Sequence, residues 1–396
     1  MSIGHIDTES VLEEARKWAS GTGADEALSL RSLDDLTPWA HARIQSAART
    51  LAASKGGLVV SSGGTTGTPK LTVISPDMGL PRILPHWSPL GEGDVLLNMF
   101  STGRMWGAQY FYNALALHSR STVAPIGGLT PEDAEEWADT IVDMGVNALC
   151  GTPNLLARFG TALHTAGIRL PVRTVIWTGE PMTPARHTAI TQVFPQAGLW
   201  GNYGSIETFV IGVSNPSCEP GTLHLLPGQL LETDHDGALL TRVGEGWPVP
   251  AVRFRLGDRI GPAACACGSP DGFTVLGRAD DSFKLYGSML SAGDVLRQAA
   301  QVKDIGEAQV VLHHEQGASA AALLMELRFT GPADEEAVRA EMASRIDGMG
   351  ILDRHTPEAL RFLRVEDVER SPRSDKVLPL VRREAGLSLT RQGVNT

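Results

Sequence analysis

Basic residues are scarce in this chain of 396 residues, which has 34 lysines and arginines against 45 aspartates and glutamates and a formal net charge of −11. A general nucleic-acid binder or a protein held on an anionic membrane needs a basic face, so neither class is expected. The chain also lacks an uncharged apolar run long enough to cross a bilayer. The N-terminal residues carry no basic segment followed by an apolar one, which argues against a secretory signal.

Cysteine is scarce too. The four cysteines are too few for a disulfide scaffold at this length, so a reduced, cytoplasmic protein is expected. Internal repeats and low-complexity segments are also lacking. Glycine and proline, by contrast, are plentiful at 43 and 24 residues, which predicts many tight turns and loops that approach ligands closely.

Short apolar segments typical of strands, the last of them Phe209–Ser214, alternate with helical segments over residues 57–214, among them Pro153–Ala166 and Pro184–Phe194. This alternation predicts an α/β fold with a largely parallel sheet. Residues 221–277 contain short apolar segments broken by glycine and proline, which indicates a β-rich subdomain, and mixed α and β segments follow. We predict a large N-terminal domain, residues 1–280, with mainly parallel sheets and the β-rich subdomain, and a small α+β C-terminal domain, residues 281–396.

A stretch rich in glycine and threonine, Ser61-Ser62-Gly63-Gly64-Thr65-Thr66-Gly67-Thr68-Pro69-Lys70, separates two predicted strands. Glycine lets a polyphosphate approach backbone N–H groups, the hydroxyls add donors, and Lys70 adds positive charge. It is not a Walker loop, because Pro69 separates the last glycine from the lysine and a strand follows. Such a stretch by itself is more often a flexible surface turn, so other motifs have to decide. The candidate phosphate ligands are Ser62, Gly63, Gly64, Thr65, Thr66, Gly67 and Lys70.

Four further motifs follow in order along the chain: Tyr203-Gly204-Ser205-Ile206-Glu207, Arg255-Leu256-Gly257-Asp258, Gly277-Arg278-Ala279-Asp280-Asp281 and Ser374-Asp375-Lys376. With the first stretch, they resemble the motifs of the adenylate-forming superfamily, which includes acyl-CoA synthetases and peptide-synthetase adenylation domains. In that superfamily they are the phosphate loop, a Tyr-Gly-x-Thr-Glu element, the segment of a ribose-binding aspartate, a hinge and the segment of a catalytic lysine. Five ordered matches cover most of the chain, so chance is a poor explanation.

Three other elements resemble the short phenylacetate-CoA-ligase-like branch of this superfamily: Gly179-Glu180-Pro181, Cys265-Ala266-Cys267-Gly268 and Val368-Glu369-Arg370-Ser371. The segment before the phosphate loop is much shorter than in typical members. Such shortened relatives occur among antibiotic-pathway enzymes that activate aromatic acids, and the resemblance therefore implies an aromatic substrate.

The resemblance implies ATP-dependent activation of a carboxylic acid as an acyl-adenylate, with release of pyrophosphate. The acyl group would then pass to a thiol, from CoA or the phosphopantetheine of an acyl or peptidyl carrier protein. Transfer to an amine is an alternative. A catalytically impaired nucleotide-binding relative is another, because Ile206 and Asp375 replace the usual hydroxyl residue and glycine. A kinase or Walker-type ATPase is disfavoured. The oligomeric state stays open, a homodimer included.

The resemblance also implies a role for each matching residue. Lys376 would bridge the carboxylate and the α-phosphate, and Glu207 would hold Mg²⁺. Tyr203 would stack on adenine, while Asp258 would accept hydrogen bonds from the ribose. Asp280 would be the hinge, with Asp281 as the alternative. The remaining nucleotide-site candidates are Gly179, Glu180, Pro181, Asn202, Gly204, Ser205 and Arg278. Ordinary alternatives exist for each: a solvated lysine, a loop acid, a core aromatic, a turn-capping aspartate or a surface ion pair.

Two further sites are predicted. Phe100, Trp106 and Trp177 lie on segments that match the acid pocket of the family, and a bulky apolar lining suits a flat aromatic acid. Core packing is the alternative for each ring. Three thiols and one imidazole offer a tetrahedral zinc set, although buried free cysteines are also common. The candidate zinc ligands are Cys218, His224, Cys265 and Cys267.

Overall fold

The computed structural model describes residues 2–19, 31–61, 71–101, 103, 105–129, 131–286, 288–314, 321–372 and 374–384. The chain divides into two compact units. The first unit holds residues 1–182 and 186–275, and the second holds residues 183–185 and 276–396. The division near residue 275 falls shortly before Asp280, where the sequence predicts the domain boundary. Each unit has its own hydrophobic core.

The first unit is built around a large mixed sheet. The first eight strands of this unit are β1 (Ser2–Ile3), β2 (Leu58–Ser61), β3 (Leu71–Ile74), β4 (Val95–Asn98), β5 (Thr122–Ala124), β6 (Ala148–Gly151), β7 (Thr174–Thr178) and β8 (Gly198–Ser205). The later strands are β9 (Phe209–Ser214), β10 (Leu223–Leu225), β11 (Gln229–Asp234), β12 (Gly237–Arg242), β13 (Phe254–Arg255), β14 (Asp258–Pro262) and β15 (Gly272–Arg278), which runs into the second unit. The helices are α1 (Thr8–Ala19), α2 (His41–Lys55), α3 (Leu80–Ile83), α4 (Gly107–His118), α5 (Pro131–Glu136), α6 (Ala138–Asp143), α7 (Pro153–Thr165) and α8 (Pro184–Val193).

Nine strands form the main sheet, in the order β14-β15-β10-β9-β8-β7-β6-β4-β5. The strands from β5 to β8 are parallel, whereas β9 pairs antiparallel with β8 and β10 pairs antiparallel with β9 and β15. A second sheet, β1-β11-β12-β13, is antiparallel, and β2 and β3 form an antiparallel pair. The predicted α/β class and the β-rich subdomain are confirmed.

The second unit holds β16 (Ser282–Leu285), β17 (Ser288–Ser291), β18 (Ala308–His314), β19 (Ala321–Phe329), β20 (Leu360–Arg364) and β21 (Leu380–Glu384), with helices α9 (Ala292–Ala299), α10 (Glu335–Arg345) and α11 (Asp347–His355). These six strands form one mixed sheet in the order β17-β16-β19-β18-β21, with β20 beside β19. Two of these helices start where the sequence supplies a cap: Ser291 accepts a hydrogen bond from Asp294 N at α9, and Asp334 accepts one from Ala337 N at α10.

Strand β8 was not among the predicted strands, because it contains three glycines and glycine is poor in strands. Close contacts explain two of them. A Cβ atom at Gly201 would lie 2.4 Å from the Trp177 ring, and one at Gly204 would lie 1.9 Å from the Phe209 carbonyl oxygen. The motif Tyr203–Glu207 therefore begins on a strand of the main sheet. Among the described residues, no helix combines the length and the apolar character needed to span a membrane.

Candidate functional site

Two of the predicted nucleotide-binding residues meet in the first unit. Tyr203, near the end of β8, donates a hydrogen bond of 2.6 Å from its hydroxyl to Asp258 Oδ2 at the start of β14. The Tyr203 ring also meets Phe273 edge-on, with 5.9 Å between centroids. A carboxylate has acceptor capacity for several hydrogen bonds, so the phenol can orient Asp258 and still leave capacity for other donors. Motifs 55 residues apart in sequence thus lie side by side.

A tight turn carries Glu207 between β8 and β9. The Ser205 hydroxyl accepts a hydrogen bond of 3.2 Å from Glu207 N and lies 3.0 Å from the Thr208 hydroxyl. Phe209 ends the turn at φ +57°, in the left-handed region that costs energy for an aromatic residue. The largely buried Glu207 carboxylate has Oε1 3.5 Å from His41 Nδ1 on α2. A buried carboxylate on the turn that follows the predicted nucleotide-binding residue Tyr203 fits the oxygen-preferring Mg²⁺ ion.

The predicted acid-pocket residues Phe100 and Trp106 meet edge to face, with centroids 5.3 Å apart, and Phe100 also stacks on Tyr112 at 4.9 Å. The Tyr112 hydroxyl accepts a hydrogen bond of 2.6 Å from Asn202 Nδ2, and Thr178 Oγ1 donates one of 2.8 Å to Asn202 Oδ1. Burial raises the pKa of Tyr112, so the phenol stays neutral. These residues form one aromatic and polar cluster, packed through Asn202 and Thr178 on one face of the main sheet.

Trp177 does not join that face. Side chains of a strand alternate between its two sides, so Trp177 points away from its neighbour Thr178 and hence from Asn202. It lines a cavity of about 170 Å³ on the opposite side, together with His187 and Thr191 of α8. The structure thus brings Phe100 and Trp106 together and separates Trp177 from them.

The start of the predicted phosphate loop lies beside Trp106. Ser61, at the end of β2, donates a hydrogen bond of 2.7 Å from its backbone N–H to the Met105 carbonyl, and it forms an isolated parallel bridge with Trp106. The loop residues predicted as phosphate ligands, 62–70, lie outside the described residues.

The four predicted zinc ligands come together although 49 residues separate Cys218 from Cys267. Their ligand atoms all lie within 4.8 Å of one another. Cys267 Sγ is 3.8 Å from Cys218 Sγ and 3.2 Å from His224 Nε2. Backbone N–H groups of Asn215, Glu219 and Ser269 each lie 3.4 Å from one of the three sulfurs.

The histidine of this cluster is oriented for a metal. Its Nδ1 lies 2.8 Å from the Pro270 carbonyl oxygen, which places the proton there and leaves Nε2 as the ligand atom. Burial raises the pKa of Cys218 to about 12, whereas hydrogen bonds from Ser269 lower the pKa of Cys267. A divalent ion would ionise such thiols together, since a coordinated thiol loses its proton outright. The donor set therefore fits zinc.

Lys376 lies on a tight turn of the second unit. Its carbonyl accepts a hydrogen bond of 2.8 Å from Ser371 N, and Asp375 N donates one of 2.9 Å to the Ser371 carbonyl. Asp375 has φ +53°, a conformation in which glycine is the usual residue and aspartate is tolerated. Asp375, at the position where the resemblance predicts a glycine, therefore adopts a left-handed backbone.

The family model described as "AMP-binding enzyme" matches residues 12–268. The chain belongs to the AMP-binding enzyme family. It is 24% identical over 210 residues to the indoleacetate–lysine synthetase of Pseudomonas savastanoi, and this match covers 53% of the chain and 52% of that relative. The chain thus spans about half the length of that curated relative.

Solved structures share the fold of this AMP-binding enzyme. A crystal structure of 2-hydroxyisobutyryl-CoA ligase in complex with 2-HIB-AMP has a TM-score of 0.67 at 14% identity and covers 95% of this chain and 87% of its own. An anthranilate CoA ligase in complex with anthranoyl-AMP has a TM-score of 0.57 at 16% identity, and the match covers 81% of this chain and 65% of the ligase chain. The predicted membership of the adenylate-forming superfamily is confirmed.

One residue next to the Glu207 turn was missed by sequence reasoning. Arg242, 1% exposed at the end of β12, donates to the carbonyls of Thr208 at 2.5 Å and Val210 at 2.8 Å. It also donates to Gln229 Oε1, and its guanidinium lies 4.5 Å from the Trp247 ring centroid. Burial lowers the pKa of Arg242 to about 9, so it remains charged at neutral pH. The only sequence signal is a charged residue that ends an apolar strand.

Three predicted nucleotide-site residues follow β7 in this AMP-binding enzyme. Gly179 has φ +84°, and the Glu180 carboxylate accepts a hydrogen bond of 3.3 Å from Asn154 N in the first turn of α7. Arg186 lies 3.7 Å from the same carboxylate and donates to the Pro181 carbonyl at 3.0 Å. The Glu180 carboxylate thus stabilises a helix N-terminus. A nucleotide role for these residues stays a prediction.

The two hinge candidates differ in their surroundings within the second unit. Asp281 is buried, and its carboxylate accepts hydrogen bonds from Ser291 Oγ at 2.9 Å and Gly293 N at 2.7 Å. Asp280 has a 72% exposed side chain, which lies 3.1 Å from Arg278 Nε. The Asp281 side chain is thus held inside the second unit, whereas the Asp280 side chain is exposed and pairs with Arg278. The hinge role of either residue stays a prediction.

Proposed function

We propose that this chain uses ATP to convert a carboxylic acid into an acyl-adenylate and pyrophosphate, and then transfers the acyl group to an acceptor. The observation that carries the proposal is the hydrogen bond between Tyr203 and Asp258 at the strand that leads into the Glu207 turn. A phenol ring, a ribose acceptor and a buried metal-binding carboxylate supply the three contacts that a nucleotide with bound metal requires. Membership of the AMP-binding family supports this assignment.

The chemistry needs positioning and charge neutralisation more than proton transfer, because a carboxylate has to approach an anionic phosphate. Mg²⁺, held by Glu207, would neutralise phosphate charge. The Lys376 ammonium would bridge the carboxylate and the α-phosphate. Tyr203 would stack on adenine, while Asp258 would bind the ribose hydroxyls, with its orientation set by the Tyr203 hydroxyl.

The acid is proposed to be aromatic. Phe100, Trp106 and Tyr112 form a buried aromatic cluster. Ile206 lies next to this cluster: a Cβ atom added at Gly107, the neighbour of Trp106, would be 2.5 Å from the Ile206 Cδ1. The names of two relatives, the indoleacetate–lysine synthetase and the anthranilate CoA ligase, support an aromatic substrate. In this setting Ile206 supplies apolar surface where other members have a hydroxyl.

Two acceptors are proposed. A thiol, from CoA or a carrier-protein phosphopantetheine, is supported by the CoA ligases with the same fold. An amine is the second candidate, and the name of the indoleacetate–lysine synthetase favours it. Product analysis after adding CoA or lysine to a mixture of enzyme, ATP and acid would distinguish a thioester from an amide.

The function is tested by exchange of labelled pyrophosphate into ATP with indole-3-acetate, anthranilate, phenylacetate and 2-hydroxyisobutyrate. We expect exchange that depends on one of the aromatic acids, because only reversible formation of an acyl-adenylate returns the label to ATP. Glu207→Gln should reduce it, since the amide is a weaker Mg²⁺ ligand. ATP binding by calorimetry without exchange for any carboxylate would instead identify a catalytically impaired relative.

We also propose that Cys218, His224, Cys265 and Cys267 hold one structural zinc ion. The ion would join the loop after β9 to the loop between β14 and β15 and would take no part in the reaction. The distances within the cluster, the N–H donors to sulfur and the orientation of His224 support it.

Zinc analysis of protein purified without added metal tests this site. We expect about one zinc per chain in the wild type, and far less in Cys265→Ser, because a hydroxyl does not replace a thiolate ligand. The variant should also unfold at lower urea concentration, since metal binding adds to folding free energy. Cys150→Ser is the matched control, because the buried Cys150 lies outside the cluster and should retain full zinc. Zinc-free wild type would refute the site.

A further inference from the structure

The segment that carries Lys376 is a narrow hairpin between residues 369 and 378 of the second unit. Leu378 N donates a hydrogen bond of 2.9 Å to the Glu369 carbonyl, and Arg370 forms an isolated antiparallel bridge with Val377. These main-chain bonds join the two arms. They do not by themselves attach the hairpin to the sheet.

The second arm continues into β21, and Val310 N of β18 donates a hydrogen bond of 3.1 Å to the Pro379 carbonyl. One buried side chain of β18 contacts both arms. Gln309, on β18, is 0% exposed. Its Nε2 donates to the Glu369 carbonyl at 3.0 Å and to the Leu378 carbonyl at 2.7 Å, and its Oε1 accepts from Glu369 N at 3.3 Å. A single carboxamide therefore contacts both arms of the hairpin. Burying an amide is costly unless its hydrogen bonds are made, and here three are made within this one segment.

A second side chain reaches the tip of the same hairpin. Arg370 donates from Nη1 to the Asp375 carbonyl at 3.4 Å, and its Nη2 pairs with Asp367 at 2.9 Å and with Glu307, which immediately precedes β18. The tip needs such support, because Asp375 stands at φ +53°, and a strained residue persists only when its surroundings hold it.

We propose that Gln309 is a positioning residue for Lys376: its carboxamide fixes both arms of the hairpin to β18 and so sets where the lysine ammonium can reach. The inference rests on the proposed function, in which Lys376 acts in acyl-adenylate formation. An apolar residue of the same length would fill the site, but it would remove the carboxamide donor to the Leu378 carbonyl, one of two donors to the Glu369 carbonyl and the acceptor for Glu369 N. The hairpin could then shift, and shifts near 1 Å in a catalytic group can cost about 100-fold in rate.

The test is a double-mutant cycle on pyrophosphate exchange with the best acid of the panel. We expect Gln309→Met to lower kcat about 10- to 100-fold, with KM for ATP and for the acid within about threefold of wild type. Lys376→Ala should lower kcat further, and the double variant should exchange no more slowly than Lys376→Ala alone, because Gln309 acts through the lysine. Gln301→Met, an exposed site in the same unit, is the matched control and should match wild type.

Other outcomes overturn the inference in distinguishable ways. If Gln309→Met lowers exchange by the same factor with or without Lys376, its role is only structural. If Lys376→Ala exchanges normally, the proposed function of the lysine fails first. Gln309→Asn keeps a buried amide that is one methylene too short to reach both carbonyls, so it carries the test if the methionine variant does not fold. Wild-type exchange by a folded Gln309→Asn would refute the positioning role.

Discussion

Replacement of Lys376 by alanine should lower acid-dependent pyrophosphate exchange about 10²- to 10³-fold. The lysine is proposed to stabilise charge where the carboxylate meets the α-phosphate, and loss of one such transition-state contact typically costs that much in kcat. The KM for ATP should change little, because Tyr203, Asp258 and Glu207, which would bind the nucleotide, all belong to the first unit. The expected result is therefore a strongly reduced rate of pyrophosphate exchange with ATP binding unchanged.

Lys303→Ala is the matched control for this experiment. Lys303 is an exposed lysine of the same unit, so its variant removes the same charge from a site that the proposal does not use. If both variants exchange at the wild-type rate, Lys376 has no part in adenylation. If both lose activity equally, a general electrostatic effect of the second unit would explain the loss.

The largest expected effect on stability comes from Arg242→Met. The substitution keeps an unbranched apolar stem as far as the position of Nε but removes the donors to the carbonyls of Thr208, Val210 and Val249 and to the Gln229 amide oxygen. It also removes one of the two guanidinium groups that lie 4.1 and 4.5 Å from the Trp247 ring centroid, the other being that of Arg82. Buried acceptors left without donors cost energy at every site, so we expect the free energy of unfolding of the first unit to fall by about 3 kcal/mol.

Urea denaturation followed by tryptophan fluorescence measures this loss. All eight tryptophans lie at or before residue 247, so the signal reports on the first unit alone. The exposed Arg49 on α2 provides the control, and Arg49→Met should change the free energy of unfolding by less than about 0.5 kcal/mol. Equal midpoints for the two variants would mean that the buried guanidinium contributes nothing net, its hydrogen bonds being offset by the cost of burying its charge.

Local sequence was enough to predict several elements and the family. The strand Phe209–Ser214 has the predicted bounds, and helices α7 and α8 begin at the predicted prolines, since proline at the first helical position is a strong local signal. Strand β8 was not predicted, because two of its three glycines are required by tertiary contacts. One contact is with Trp177 on β7 and the other with Phe209 on the antiparallel strand β9. Contacts of that kind leave no periodic pattern.

The three cysteines and His224 were also predictable as a set, because they share the chemistry of zinc ligands. Tyr203 and Asp258 were predicted one by one, from the resemblance of their motifs to those of a known family. Their mutual distances were not. The supporting residues Arg242 and Gln309 carry no motif, and each acts through hydrogen bonds to backbone carbonyls that any residue could supply. Only coordinates reveal such a role.

The order of its motifs and their resemblance to a known family determined the superfamily of this protein and the proposals for its nucleotide-site residues and for Lys376, because residue type and sequence order are properties of the chain alone. The tertiary structure decided which of these residues meet. It separated Trp177 from Phe100, buried Asp281 while leaving Asp280 exposed, and placed the Gln309 carboxamide against both arms of the Lys376 hairpin. The reason is geometric: strand alternation and sheet register determine which face a side chain occupies, and neither is encoded in the motif that carries it.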